Sequence, residues 1–120
     1  MSASHARLSL TPSGAAVATI LNNPNEWNGK FVPLVGDHLH AEEFVKTFAQ
    51  VTGQPAKLNS ITREAFAGFG FPGAEELAQM FGYFEEYTCF GPDGDLELGK
   101  KAHPNLKSFK QWLQETGWKG

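Results

Sequence analysis

The sequence predicts an α/β domain of the small, α+β-like kind, in which one parallel β-α-β unit packs with about four further helices. Three stretches between Lys30 and Thr62 predict it. Phe31-Val32-Pro33-Leu34-Val35 is a continuous apolar run of strand length. His40 to Thr52 carries Phe44, Val45, Phe48 and Val51 at helical spacing. Lys57-Leu58-Asn59-Ser60-Ile61 alternates again. A strand, helix, strand order with so long a connection predicts a parallel pair and a right-handed crossover.

Taken in order, residues 1–10 are small and polar and read as a flexible start, with residues 11–120 as a single domain. Thr11-Pro12-Ser13-Gly14 opens a helix, with Thr11 as N-cap and Pro12 at the first helical position. Val17, Ile20 and Leu21 form its apolar stripe, and Asn22-Asn23-Pro24 stops it. Residues 25–29 form a turn whose Trp27 packs over the helix end. In the first strand Pro33 removes a ladder donor, which argues for an edge or an irregularity. Glu43, three residues after His40, has the spacing of a capping box, and Gly53 closes the central helix. Thr62 caps a short helix with Ala65 and Phe66. A longer helix spans about Ala74 to Phe90, and Gly91-Pro92-Asp93-Gly94-Asp95 is a turn. Asn105 caps a last helix, about Leu106 to Thr116, which Gly117 ends.

Composition excludes several classes. The 120 residues are 41% hydrophobic and 19% charged, with a net charge of −3, as in an ordinary globular domain. Charges of both signs are scattered, with no basic stripe for a phosphate backbone, so no nucleic-acid partner is expected. No apolar run approaches the ~20 residues of a membrane span, and the N-terminal residues lack the apolar core of a signal peptide. The one cysteine, Cys89, has no internal disulfide partner and suits a reducing compartment, so the expected location is cytoplasmic.

Several groups invite a chemical reading. Gly68-Phe69-Gly70-Phe71-Pro72-Gly73 has the letters of the dinucleotide fingerprint, but that motif needs a strand before it and a helix is expected there. Asp37, His38 and His40, with Glu42 and Glu43 following, could share a metal or form an acid/base pair. Two histidines without a third placed ligand favour a polar strand-end loop, and no metal is expected. Asp93 and Asp95 begin like a calcium loop, yet Pro104 stands where the bidentate glutamate belongs. Cys89 has no cation within two positions and reads as an inert apolar residue. The aromatics Phe66, Phe69, Phe71, Phe81, Tyr83, Phe84, Tyr87 and Phe90 crowd one third of the chain. Core packing explains part of this run. The rest suits an apolar pocket with Tyr83, Tyr87 and Asn59 as polar handles.

Asn23-Pro24, Trp27-Asn28-Gly29-Lys30, Val35-Gly36-Asp37, Glu43 and Val51-Thr52-Gly53-Gln54 together resemble the carboxy-terminal part of NmrA-like proteins, which are atypical short-chain dehydrogenase/reductases. Phe69 to Leu77 and Ser108 to Leu113 are similar to the family as well, so the resemblance covers nearly all of residues 12–118. It implies a missing partner domain, since in that family a larger amino-terminal Rossmann domain binds NADP(H) and catalytic members carry a Tyr-x-x-x-Lys pair. Neither Tyr83 nor Tyr87 has a lysine four residues on, and no cofactor site is expected within these residues. The resemblance implies the substrate-side domain alone, binding an apolar or aromatic metabolite and working as a cofactor-free isomerase or cyclase if it is an enzyme. Tyr83, Tyr87, His38 and His40 would then exchange protons, and Asn59, Phe66, Phe69, Phe71, Phe81 and Phe84 would hold the ligand. A non-catalytic regulatory or protein-binding module, and a reductase fragment needing an NADP-binding partner, are the other readings. Two strands alone leave bare edges, which predicts a homodimer or a partner chain.

Overall fold

The computed structural model describes residues 4–7 as backbone and residues 13–90 and 95–120 in full. The cap expected at Thr11, the first position at Pro12, and residues 91–94 of the expected turn lie outside the described residues. Strand β1 (Ser4–Arg7) pairs antiparallel with β2 (Asp37–His40), Ser4 opposite His40 and Arg7 opposite Asp37. Part of the start that reads as flexible is thus a strand. Helices α1 (Ser13–Asn22) and α2 (Pro24–Trp27) follow β1, with α3 (Ala41–Thr52) after β2. The remaining helices are α4 (Arg63–Ala67), α5 (Ala74–Tyr87), α6 (Leu96–Ala102) and α7 (Phe109–Thr116). No helix among the described residues is long and apolar enough to cross a membrane.

The architecture is mixed but helix-rich, and the parallel β-α-β unit is not formed among the described residues. Residues 31–35 and 57–61 belong to neither a strand nor a helix. The reason is visible in the first of them. Pro33 is fully buried and Val35 is 8% exposed, because the segment lies across α6, so close that a Cβ on Gly99 would sit 2.0 Å from the Pro33 carbonyl oxygen. Val32 and Leu34 pack on the cluster of Ala16, Trp27 and Ala102, Phe31 is left 71% exposed, and among the described residues no strand pairs with this segment. The only described pairing uses Asp37–His40, just beyond the predicted run.

Local signals account for most helix ends. Pro24 both stops α1 and opens α2, since its fixed φ suits a first helical turn and its missing N–H is not needed there. Glu43 Oε2 accepts from the His40 N–H at 2.8 Å, the reciprocal arm expected at the start of α3. Gly53 and Gly117 end α3 and α7 with φ of 72° and 64°, a conformation that costs glycine nothing. Thr62 Oγ1 accepts from the Ala65 N–H at 3.1 Å. Helix α7 starts later than expected, at Ser108 instead of Asn105. Ser108 and Gln111 form a full capping box there. Helix α6 is a further element, opened by Asp95, whose Oδ1 accepts from the Glu97 N–H at 3.0 Å.

The core is thin and built from small residues. Ala16, Trp27 and Ala102 form one cluster, with Ile20, Val32, Leu34 and Leu98 against it. Ala74, Ala78 and Gly82 line the buried side of α5. Leu113 anchors α7 on α3, beside a ladder of rings in which Phe44 meets Phe109 at 5.1 Å and Phe48 meets Trp118 at 5.7 Å. The accessible surface is 7933 Å², against ~6,400 Å² for a folded monomer of this mass. The radius of gyration is 16.7 Å, where a compact chain of this length has about 13.6 Å.

Candidate functional site

Six of the ten large apolar residues exposed among the described residues fall in the aromatic run, between Phe69 and Tyr87. On α5, small residues face inward and a second stripe, Leu77, Met80, Phe84 and Tyr87, repeats at helical spacing on the other side. Leu77 is 37%, Met80 38%, Tyr83 48% and Tyr87 49% exposed. Phe66, on α4, is the hub of the neighbouring cluster. Its ring lies 5.3 Å from Phe69, 5.9 Å from Phe71 and 5.4 Å from Phe81. Phe81 continues to Phe84 at 6.4 Å, and Tyr83 lies 5.0 Å from Tyr87. Six of the residues picked from the sequence (Phe66, Phe69, Phe71, Phe81, Phe84 and Tyr83) therefore share one face, and Tyr87 extends it. Part of it is open to solvent, with Phe69 57% and Phe71 41% exposed.

The other predicted residues sit elsewhere. His38 and His40 alternate with partly buried Asp37 and Leu39 on β2, and His40 is the N-cap of α3. Asp37 has a structural task, because its Oδ2 accepts from the Phe109 N–H and ties β2 to the start of α7. Asn59 is exposed in the segment before α4. No group of three or more His, Cys, Asp or Glu that could hold a metal occurs among the described residues.

The glycine-rich stretch does not fit a dinucleotide. It links α4 to α5, so a helix precedes it, and Glu75 and Glu76 occupy the first turn of α5, where they repel a phosphate. Sequence reasoning also missed Arg63. Its guanidinium lies on the bare backbone of Gly82, within 2.1–2.4 Å of where a Cβ would stand, and 3.8 Å from both Glu85 and Glu86. The signal was a glycine in the middle of a helix, which costs about 1 kcal/mol against alanine and calls for a close neighbour.

A helix-rich α/β module with an open aromatic face is the class these observations define. The model of the NmrA-like family matches residues 7–115, and the chain belongs to that family. It is similar to the NmrA-like family domain-containing oxidoreductase lnaB of Aspergillus flavus, with 40% identity over 119 aligned residues, covering 83% of this chain and 35% of that protein. It is also similar to the NmrA-like family domain-containing oxidoreductase hkm9 of Aspergillus hancockii, with 35% identity over 83 residues, covering 67% of this chain and 25% of that protein. The chain thus spans about a third or less of the length of these relatives.

Proposed function

We propose that these residues form the substrate-side part of an NmrA-like oxidoreductase, holding an apolar or aromatic metabolite against the Phe66 cluster. The carrying observation is the open face itself: aromatic rings packed on one another, of which Phe69, Phe71, Tyr83 and Tyr87 are about half exposed, on a chain with more surface than a closed monomer shows. An apolar face of that kind needs a cover. The fragment reading supplies one, since the relatives are about three to four times longer than their matched portion. The cofactor then belongs to the covering part, and the substrate lies between the two.

Tyr83 and Tyr87 are the polar groups on this face and the candidates for contact with a substrate oxygen. Their rings lie 5.0 Å apart, tilted by 34°, and both side chains are about half exposed. A second copy of the chain is the alternative cover. The four glutamates of α5 (Glu75, Glu76, Glu85 and Glu86) disfavour it, because a second copy would bring the same four carboxylates toward them. The test is to co-express this chain with the portion of the A. flavus relative that it does not span and to record native mass spectra. A one-to-one complex that is lost on replacing Phe69 and Phe71 by serine supports the reading. A homodimer that ignores the added portion overturns it.

A further inference from the structure

A groove of about 380 Å³ lies at the end of α1, away from the aromatic face, lined by Ile20, Leu21, Pro24, Asn25, Trp27, Asn28 and Gly29. That size is within the range of small-molecule sites, which are mostly apolar with a few polar groups. Trp27 is 4% exposed, and its indole Nε1 is the one buried side-chain nitrogen or oxygen without a hydrogen-bond partner among the described residues. Buried donors are otherwise almost always satisfied, so an orphan calls for an acceptor. We propose that this groove binds a small carboxylate with an apolar body, the carboxylate held by Lys30 and the Trp27 indole N–H.

The charge balance selects an anion. Two ammonium groups stand over the Trp27 ring, Lys30 Nζ at 5.7 Å and Lys101 Nζ at 5.8 Å from its centroid. Glu26 is paired with Lys101 at 2.5 Å and lies in the field of Lys30 as well, so two ammonium groups share one carboxylate and one positive charge is left in excess beside the Gly29 end of the lining. The carbonyls at the end of α1 would repel an anion, but two of them are taken. Asn23 Nδ2 donates to Thr19 O at 3.0 Å, and the Asn23 N–H donates to Ile20 O at 3.2 Å. Ile20, Leu21 and Pro24 offer the apolar body its contacts. The indole N–H is sealed from solvent as the groove stands, so the acceptor reaches it as the groove side chains readjust. Leu21, 72% exposed, has room to do so.

The probe is octanoate, with 1-octanol and octylamine as the neutral and cationic controls, titrated into the ¹⁵N-labelled chain. The indole N–H signals of Trp27, Trp112 and Trp118 are the readout, Trp27 being assigned by substitution of the other two with Phe. Octanoate should move the Trp27 signal saturably and leave the other two in place. Octylamine should not move it, and Lys30→Met, a change at an exposed position, should weaken octanoate at least fivefold. A Trp27 signal that never moves overturns the proposal. So does an equal response to octanol and octylamine, or an unchanged affinity in Lys30→Met, because each removes the carboxylate from the site.

Discussion

Replacing Gly99 by alanine should destabilise the chain, although alanine is the better helix former. A Cβ on Gly99 would stand 2.0 Å from the carbonyl oxygen and 3.1 Å from the carbonyl carbon of Pro33, and 3.4 Å from the Cα of Leu34. All three are backbone atoms in a buried segment, so either residues 31–35 or α6 must move. Overpacking of that kind costs about 1–3 kcal/mol. Helix propensity returns about 1 kcal/mol, which leaves a net loss of up to roughly 2 kcal/mol, toward the upper end because the clash is with backbone. At about 4 °C per kcal/mol for a chain of this size, the thermal midpoint should fall, by up to roughly 8 °C. Gly82→Ala is the control. There the Cβ meets the guanidinium of Arg63, the far end of a flexible side chain, which can swing away at the loss of exposed ion pairs worth at most about 1 kcal/mol. Its midpoint should hold or rise. Melts of both variants by circular dichroism decide the matter, and a Gly99→Ala midpoint at or above that of the parent refutes the close crossing of residues 31–35 over α6.

Three further outcomes are expected. Asp37→Ala removes the acceptor at the start of α7 and should cost about 1–2 kcal/mol in urea denaturation, whereas Asp37→Asn, which keeps an acceptor, should lose less. Thr88 ends α5 at φ 67°, ψ 172°, a region that belongs to glycine. Thr88→Gly should therefore stabilise by about 1 kcal/mol, the released strain exceeding the entropy of glycine. The Glu26 carboxyl is held below its ordinary value near 4.5 by its hydrogen bond from Lys101, against a smaller opposing effect of desolvation. A carboxyl lowered in the folded state adds stability above its ordinary value and loses it as pH falls through the folded one. Lys101→Met should return Glu26 toward 4.5, as followed by its carboxyl carbon shift, and remove that part of the acid dependence.

Helix ends were readable in the residues because capping is local: His40 with Glu43, Gly53, Thr62 and Gly117 each act within a few positions of themselves. The family was readable too, from motifs such as Trp27-Asn28-Gly29-Lys30 that recur as a set. Strand pairing was not, because pairing depends on what lies alongside. Phe31–Val35 has the apolar content of a buried strand, yet Val32 and Leu34 pack on a cluster drawn from α1, α2 and α6 and Phe31 stays exposed. Helix α6 itself was hidden by Gly99, a poor helix residue whose place there is explained only by the chain crossing it. The aromatic face was half readable. Helical spacing brought Phe81, Phe84, Tyr83 and Tyr87 together, and the glycine loop folded Phe69 and Phe71 onto Phe66. Nothing in the spacing placed His38, His40 or Asn59 with them, since those residues belong to other elements.

The alanine-lined core has a consequence for how the chain melts. With 7933 Å² exposed in the folded state, folding removes only about 58% of the ~19,000 Å² of an unfolded chain of this mass, against about two thirds for a typical monomer. Both the heat-capacity change on unfolding and the slope of stability against urea follow that removed area. The isolated chain should therefore unfold over a broad range of temperature and denaturant while keeping its full helix content beforehand. Anything that settles on the open face adds buried area and sharpens the transition, so the steepness of a melt reports a bound cover before any change in helicity does.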